Sequence, residues 1–425
     1  MKAFFPILLA LLLPASPCAA IPNSVFGPIV SADSPLNGED LDEIVLAAAV
    51  WEEGGELPGK WIDEGQIGTS SLSYLLARPK LFGQEVLMLR STRREGKLAQ
   101  LEATFVDAGS YFGYFDEKLP EGLSRRQLEE EMTKRLAEKQ ESFSEGYTAV
   151  LSALRETLPE GADKPRPKLR RFGKGRMLRT EPEEWIKDGL AIRLFTAEDR
   201  LIRVTLAPEE DAADGWMEAG LEKESERERL ERLEASVRKE GSVVHIDGIK
   251  TVPQGFKPYC GLNTLAMAAR HFGMTLDEDW MAAAAGFQNT GSAGGSNMVK
   301  LYHAVAAEAG LSLDRSSKFN EATVKRSLDS GIPVVVWRRF SHERNRLHDR
   351  IARSPDADLP DPAKADERAL WPDDEAPLHA SVITGYDSAK NELFFLESWS
   401  GHDRTRRMRI EEMAATTYLC FAFKP

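Results

Sequence analysis

Two side chains in the second half of the sequence have the types and spacing needed to attack a carbonyl carbon. Cys260 opens an apolar helical stretch in VPQGFKPYCGLNTLAMAARHFG, and Gln254 lies six residues before it. The thiolate is the nucleophilic form, and it is favoured by the positive end of a helix and by a nearby imidazolium. The amide of Gln254, beside the backbone N–H of Cys260, could hold the oxyanion of a tetrahedral intermediate. The alternative is that Cys260 is a small buried hydrophobe, as most free cysteines are.

His379 is the histidine best placed to act as a base for Cys260. It begins the predicted buried strand HASVITGYD. His271 lies on the same predicted helix as Cys260, about three turns away, and cannot reach it. The other histidines stand in polar segments or have no supporting context: His245, His303, His342, His348 and His402.

A third group should orient the imidazole of His379, and Glu397 on the following strand is the candidate. If the turn between the two strands has an odd number of residues centred on Ala389, Glu397 pairs with Ser381 and lies diagonally beside His379. An even turn would direct Glu397 away and bring Ser398 opposite His379. The sequence leaves these two alternatives open.

A second cysteine and a histidine-containing segment do not add another site. Cys420 lies in the apolar segment TTYLCFAF, which predicts a buried C-terminal strand. A disulfide with Cys260 is the alternative, and it would remove the nucleophile. In SHERNRLHD the histidines are not spaced as in the helical two-histidine zinc motif. We therefore expect exposed ion pairs in that segment, no metal site and no cofactor.

The segment from about residue 242 has a compact α/β pattern that would position these side chains. The stretch after Cys260 is apolar on nearly all faces, which is typical of a helix inside a domain. GIPVVVW, HASVITGYD and LFFLESW have the composition of buried strands. Residues 291–297 (GSAGGSN) have the composition of a flexible loop, and the polar residues 340–378 that of a surface insertion.

Residues 1–20 have the parts of a secretory signal peptide. Lys2 precedes a short apolar core, and the small residues Cys18, Ala19 and Ala20 form the cleavage site. We therefore expect the mature protein to be exported. No other stretch is long and apolar enough to span a bilayer.

Residues 21–240 are predicted to form a separate α+β region of hairpins and long charged helices. Hairpins near residues 86–106 and 191–206 alternate with two charged helices. Ser124 opens the first helix, with Gln127 placed for a capping box, and the second covers about residues 215–239. This order suggests an internal duplication. The role of the region is open, and one alternative is a pro-segment that is cleaved between about residues 207 and 245.

The length and charge of the chain limit the classes of protein it can represent. With 425 residues, the chain has room for two or three domains and needs no disulfides to stabilise its core. Its net charge of −13 argues against a nucleic-acid-binding protein, which would carry a basic surface. The sequence predicts no oligomeric state.

The motifs in residues 245–425 resemble the papain-like cysteine peptidases, and most of all the branch of double-glycine leader peptidases that process bacteriocins. The resemblance rests on Gln254-x5-Cys260-Gly261, the apolar helix, GIPVVVW, His379 in HASVITGYD and LESWSG. It implies an α+β fold in which the cysteine-bearing helix packs on an antiparallel sheet. It also implies Cys260 as the nucleophile, His379 as the base and Gln254 as the oxyanion donor. Glu397 stands where the family has Asp or Asn, so its carboxylate would be shifted by one methylene.

We therefore predict a signal peptide at residues 1–20, an N-terminal region at residues 21–240 and a papain-like domain at residues 241–425. The predicted function is an exported cysteine peptidase that acts on peptide or protein substrates. The alternatives are a non-catalytic papain-like module that binds peptide or cell-wall material, and a transglutaminase-like acyltransferase.

Overall fold

The structure is a computed structural model that describes most of the chain. The described residues are 31–112, 124–174, 176–197, 199–255, 257–287, 295–354, 357–399 and 404–425. The predicted signal peptide lies outside them. So does most of the predicted loop at residues 291–297.

The described residues form helices and strands that alternate along the chain. The helices are α1 (Asp42–Val45), α2 (Ala48–Trp51), α3 (Ala108–Phe112), α4 (Arg125–Thr157), α5 (Glu226–Ala235), α6 (Cys260–His271), α7 (Glu278–Ala284), α8 (Gly295–Glu308), α9 (Glu321–Asp329), α10 (His342–Ala352), α11 (Ala365–Arg368) and α12 (Ile410–Thr416). The strands of the first half are β1 (Trp61–Ile67), β2 (Ser70–Leu75), β3 (Lys80–Leu81), β4 (Gln84–Glu85), β5 (Met88–Arg94), β6 (Lys97–Asp107), β7 (Lys168–Leu169), β8 (Glu183–Lys187), β9 (Leu190–Ala197) and β10 (Leu201–Pro208). Those of the second half are β11 (Val237–Glu240), β12 (Val243–Ile246), β13 (Ser312–Ser316), β14 (Val334–Arg339), β15 (Leu378–Asp387), β16 (Glu392–Glu397), β17 (Arg406–Arg409) and β18 (Thr417–Lys424).

Eight strands of the first half form one antiparallel sheet, which we call the N-terminal sheet, and β3 and β4 pair separately. Its strand order is β1-β2-β5-β6-β10-β9-β8-β7. The strands β1, β2, β5 and β6 form one side of the sheet, and β7, β8, β9 and β10 form the other. The two sides are joined at the centre by the pairing of β6 with β10. The order is therefore symmetric about the β6–β10 pair. This symmetry is compatible with the predicted duplication, which stays a prediction.

Both predicted hairpins are present. Strands β5 and β6 are joined through Glu95 and Gly96, which have φ values of 53° and 80°, as a type I′ turn requires. Strands β9 and β10 form the second hairpin. Helix α4 begins after Ser124, and the predicted capping box with Gln127 is formed.

The second charged helix is shorter than predicted. Helix α5 covers only Glu226–Ala235, because Ser225 forms its own capping box and fixes the start there. Before it, Trp216 and Met217 are buried in the core instead of continuing an exposed helix. After it, β11 pairs with β12. The prediction of a helix over residues 215–239 was therefore wrong at both ends.

The second half forms an antiparallel sheet covered by helices. Its order is β11-β12-β15-β14-β18-β13, and β16 pairs with β15 and also with β17. Helix α6 packs on β15 and β14 and is buried on nearly all faces, as its composition predicts. The fold is thus α+β with antiparallel sheets. One hydrophobic cluster runs from Phe172 to Phe423 and includes residues from both halves, so the two halves share a core.

The predicted surface insertion at residues 340–378 is only partly on the surface. Helix α10 packs against β17, and its Arg344, His348 and Ile351 are buried. Arg344 donates two hydrogen bonds to Glu412, at 2.8 and 2.5 Å. A bidentate pair of this kind neutralises a buried guanidinium, which polar composition alone does not reveal. The expectation of exposed ion pairs in this segment was therefore wrong for Arg344 and His348.

Candidate active site

Cys260 is the first residue of α6 and is partly exposed. The backbone N–H groups of Gly261 and Ala380 and the ring of His379 form hydrogen bonds with its thiol. Cys420 lies in β18, and both cysteines are free, so the alternative of a disulfide was wrong. Burial raises the pKa of the Cys420 thiol to about 12. Cys260 is thus the cysteine in an environment that favours a thiolate.

His379 lies at the start of β15 and joins Cys260 to Glu397. Its Nε2 is 2.5 Å from Oε2 of Glu397. Its remaining ring nitrogen is therefore the one available for the thiol hydrogen bond. His379 is 3% exposed and Glu397 0%, so the bond between them is shielded from water, while Cys260 is partly exposed.

Glu397 faces His379 because a β-bulge restores the strand register. The turn between β15 and β16 has an even number of residues, 388–391, and Asp387 pairs with Glu392. That register alone would turn Glu397 away. An extra residue in β15, Thr384, shifts the pairing between Ile383 and Gly385, and Glu397 then pairs with Ser381. The turn is therefore even and not odd, yet Glu397 pairs with Ser381, as the odd-turn alternative predicted.

The bulge lies where β12 closely approaches β15. A Cβ added to Gly385 would lie 2.5 Å from the carbonyl oxygen of Val244. Glycine is therefore required for β12 and β15 to pair next to the bulge. This gives a physical reason for the glycine in HASVITGYD.

Arg338 was missed by the sequence reasoning. It lies directly opposite His379 in the β14–β15 register, and its Nη2 is 2.5 Å from Oε1 of Glu397. Its Nε donates to Oγ of Ser381 at 2.9 Å, and that hydroxyl lies 3.1 Å from both carboxylate oxygens of Glu397. The doublet Arg338-Arg339 after an apolar strand was a visible signal, but only the strand register shows which arginine faces inward.

The electrostatics of this cluster favour a thiolate and an imidazolium. Burial raises the pKa of Cys260, but the hydrogen bond and charge of His379 outweigh it and lower that pKa below its ordinary value. Burial lowers the pKa of His379, and the charge of Glu397 outweighs it and raises that pKa. Burial also raises the pKa of Glu397, yet His379 and Arg338 hold it far below the ordinary carboxyl range. Each shift stabilises the charged form of its group.

Two aromatic side chains cover the His379–Glu397 pair. The ring of Trp399 stacks on His379 with a centroid distance of 3.8 Å. Phe340 contacts both rings, at 5.6 Å from His379 and 4.4 Å from Trp399. These contacts hold the imidazole plane and exclude water from its bond to Glu397.

Gln254 is buried in the segment before α6, and its side-chain amide bonds to Ser398 and Lys257. Its Oε1 accepts from Oγ of Ser398 at 2.7 Å, and its backbone N–H donates to the Ser398 carbonyl at 2.9 Å. Its Nε2 donates to the carbonyl of Lys257 at 3.2 Å. The amide is thus oriented by both Lys257 and Ser398, and Ser398 is the residue that the even-turn alternative placed opposite His379.

Among the described residues, no cluster of three or more histidine, cysteine or acidic side chains has the arrangement of a metal site. The same residues contain no helix with the length and apolar character to cross a bilayer.

Comparisons with known proteins place part of the chain near one peptidase family. Residues 246–422 match the model of the Peptidase_C39 like family. Among solved structures, the chain is similar to a protein described as a C39-like peptidase from Bacillus anthracis. The two are 13% identical over 43% of this chain and 98% of that chain, with a TM-score of 0.29. No curated protein matches the chain. The family match supports, at family level, the assignment of residues 246–422 to the C39-like, papain-like cysteine peptidases.

Proposed function

We propose that this chain is an exported cysteine peptidase that hydrolyses peptide bonds through Cys260, His379 and Glu397. The observation that carries the proposal is the continuous hydrogen-bonded relay from the thiol through the imidazole to a buried carboxylate. A nucleophile, a base and a group that orients the base are the arrangement that acyl transfer requires. Export is proposed from the N-terminal sequence alone.

In the first half-reaction, the Cys260 thiolate attacks the carbonyl carbon of the scissile peptide bond. The carbonyl oxygen becomes an oxyanion, which the Cys260 backbone N–H and the amide of Gln254 are proposed to stabilise. The His379 imidazolium then donates its proton to the leaving amine as the C–N bond breaks. The products are a free amine and a thioester on Cys260.

In the second half-reaction, neutral His379 accepts a proton from water, and the hydroxide attacks the thioester carbonyl. The C–S bond breaks, which releases the carboxylic acid and regenerates the thiolate and the imidazolium. Glu397 stabilises the imidazolium in both half-reactions and fixes the ring orientation. Arg338 and Ser381 keep the Glu397 carboxylate ionised and correctly directed.

The buried position of Glu397 favours the peptidase over the non-catalytic module. A module that only binds peptide has no need for a carboxylate held 2.5 Å from a buried histidine beside a cysteine. Strongly perturbed pKa values grouped in one place are typical of catalytic sites.

The proposal is tested by labelling and by hydrolysis. The mature protein is incubated with a peptidyl epoxide at neutral pH, and turnover of fluorescein-labelled casein is measured in parallel. Cys260→Ala should abolish both signals, while Cys420→Ala, which removes the other free thiol, should keep both. Addition of a primary amine separates hydrolysis, which yields the free acid, from acyl transfer, which yields a new amide. Absence of Cys260-dependent labelling would refute both catalytic alternatives.

A further inference from the structure

The N-terminal sheet contacts the loop that carries the proposed oxyanion donor. The loop joins Gln254 to Cys260, and Lys257 lies near its centre. The side chain of Lys257 is 14% exposed, and its Nζ is 2.8 Å from Oδ2 of Asp107, the last residue of β6. A second carboxylate, Oδ1 of Asp279 in α7, lies 2.5 Å from the same nitrogen. An ammonium buried between two carboxylates is held in one position.

Lys257 in turn fixes Gln254 through two backbone contacts. The Lys257 backbone N–H donates to the Gln254 carbonyl at 3.1 Å. The Gln254 side-chain amide donates back to the Lys257 carbonyl at 3.2 Å. Lys257 and Ser398 therefore hold the Gln254 amide together, and a shift of Lys257 would move that amide relative to Cys260.

Asp107 is itself rigidly held. Its two carboxylate oxygens accept hydrogen bonds from the backbone N–H groups of Gly109 and Ser110, at 2.9 and 2.8 Å, at the start of α3. The Ser110 hydroxyl donates a further bond at 2.5 Å. With the residue 5% exposed, the carboxylate has little freedom to follow Lys257 if the loop moves.

A second contact joins the same two parts of the molecule next to the nucleophile. Gly109 packs against the ring of Tyr259, the residue directly before Cys260, and a Cβ on Gly109 would lie 2.4 Å from the Tyr259 hydroxyl oxygen. On the other side, the Tyr259 ring meets Phe287 edge-on at 5.1 Å, and Arg200, in the turn between β9 and β10, donates to the Phe287 carbonyl at 2.8 Å.

We propose that Asp107 is a positioning residue of the active site, acting through Lys257 on the oxyanion loop. The N-terminal sheet is then a permanent part of the catalytic unit and not a pro-segment that is removed on activation. This inference rests on the peptidase function proposed above. It assigns a role to residues that lie outside the match to the peptidase family model.

The inference predicts a selective loss that a general loss of stability would not produce. Iodoacetamide alkylates Cys260 by displacement and forms no oxyanion. N-acetylglycinal adds to the thiolate and forms a hemithioacetal oxyanion, which needs the loop. Asp107→Asn should weaken N-acetylglycinal inhibition roughly 10- to 100-fold, less than the roughly 100- to 1,000-fold cost in kcat of removing an oxyanion donor. The rate of alkylation by iodoacetamide should stay within about twofold.

Arg94→Gln is the matched control. Arg94, in β5, pairs with Glu218, in the segment after β10, at 3.3 Å, and this ion pair does not involve the loop. Arg94→Gln should leave the ratio of N-acetylglycinal affinity to iodoacetamide alkylation rate unchanged. Lys257→Gln is a second test, because it removes the same ion pair from the loop side; it should show the same selective loss as Asp107→Asn.

The outcomes separate this inference from the proposed function. An unchanged ratio in folded Asp107→Asn would overturn the inference, and Lys257→Gln decides in the same way if Asp107→Asn does not fold. Activity that appears only after removal of residues before 241 would also overturn it. If the unmodified protein is alkylated at Cys260 but forms no hemithioacetal, the positioning role of Asp107 is refuted, while Cys260 is still the proposed nucleophile. If Cys260 reacts with neither probe, the proposed function falls and the inference with it.

Discussion

Glu397→Gln should damage both the stability of the protein and its catalytic site. Arg338 and Glu397 are 2% and 0% exposed, and they lie 2.5 Å apart. The substitution leaves the Arg338 guanidinium buried without its counter-charge. Removal of one partner from a buried pair costs about 3–5 kcal/mol, so we expect the free energy of unfolding to fall by that amount.

The double variant Arg338→Met with Glu397→Gln separates these two effects. Removal of both charges together abolishes the uncompensated charge, and replacement of a buried pair by groups of similar volume is often close to neutral. We therefore expect the double variant to be more stable than either single variant. Urea unfolding of the four proteins, followed by tryptophan fluorescence, measures the coupling energy directly.

The activity of the double variant should stay low even though its stability returns. The glutamine amide can present an N–H to Nε2 of His379, which favours the wrong tautomer, and the loss in kcat should be roughly 100- to 10,000-fold. Without the carboxylate, the pKa of His379 should also fall, because the charge of Glu397 is the interaction that raises it. The upper limb of the pH–kcat/KM profile should then move to lower pH.

Two results would refute this reasoning. If Glu397→Gln unfolds at the same urea concentration as the unmodified protein, the pair does not stabilise the fold as argued. If the double variant regains both stability and activity, Glu397 acts only through the fold and does not orient His379.

Three further predictions concern the surroundings of Cys260. Because the pKa of Cys260 is lowered by His379, alkylation by iodoacetamide should stay fast below the ordinary thiol pKa, and His379→Ala should move its midpoint to higher pH; the same midpoint in both proteins would contradict this. Ser398→Ala removes one of the two hydrogen bonds that orient the Gln254 amide, worth about 0.5–1.5 kcal/mol, and should weaken N-acetylglycinal inhibition by up to about tenfold with alkylation unchanged. Trp399→Leu removes the ring stacked on His379 and should admit water to the His379–Glu397 pair. Water weakens the effect of the Glu397 charge, which raises the pKa of His379, so the upper limb of the activity profile should move to lower pH. A profile with unchanged limbs would argue against the shielding of this pair by Trp399.

Much of the local structure follows from short-range signals in the sequence. The Glu95-Gly96 turn predicts the first hairpin because both positions need positive φ, and Ser124 with Gln127 predicts the start of α4 because each satisfies a backbone group of the helix end. The apolar faces after Cys260 predict a buried helix. The types and spacing of Cys260 and His379 likewise suggest the chemistry of a nucleophile and a base.

The tertiary structure alone decided how these parts meet. The alignment of Glu397 depends on one extra residue, Thr384, which compensates an even turn, and a bulge leaves no local signature strong enough to predict. Arg338 meets Glu397 across 59 positions of sequence because β14 and β16 both pair with β15, and Asp107 meets Lys257 across 150. The sequence by itself therefore determined which chemical groups were available and the elements that bear them. Their alignment depended on long-range register and burial, because backbone pairing and desolvation involve residues far apart in the chain.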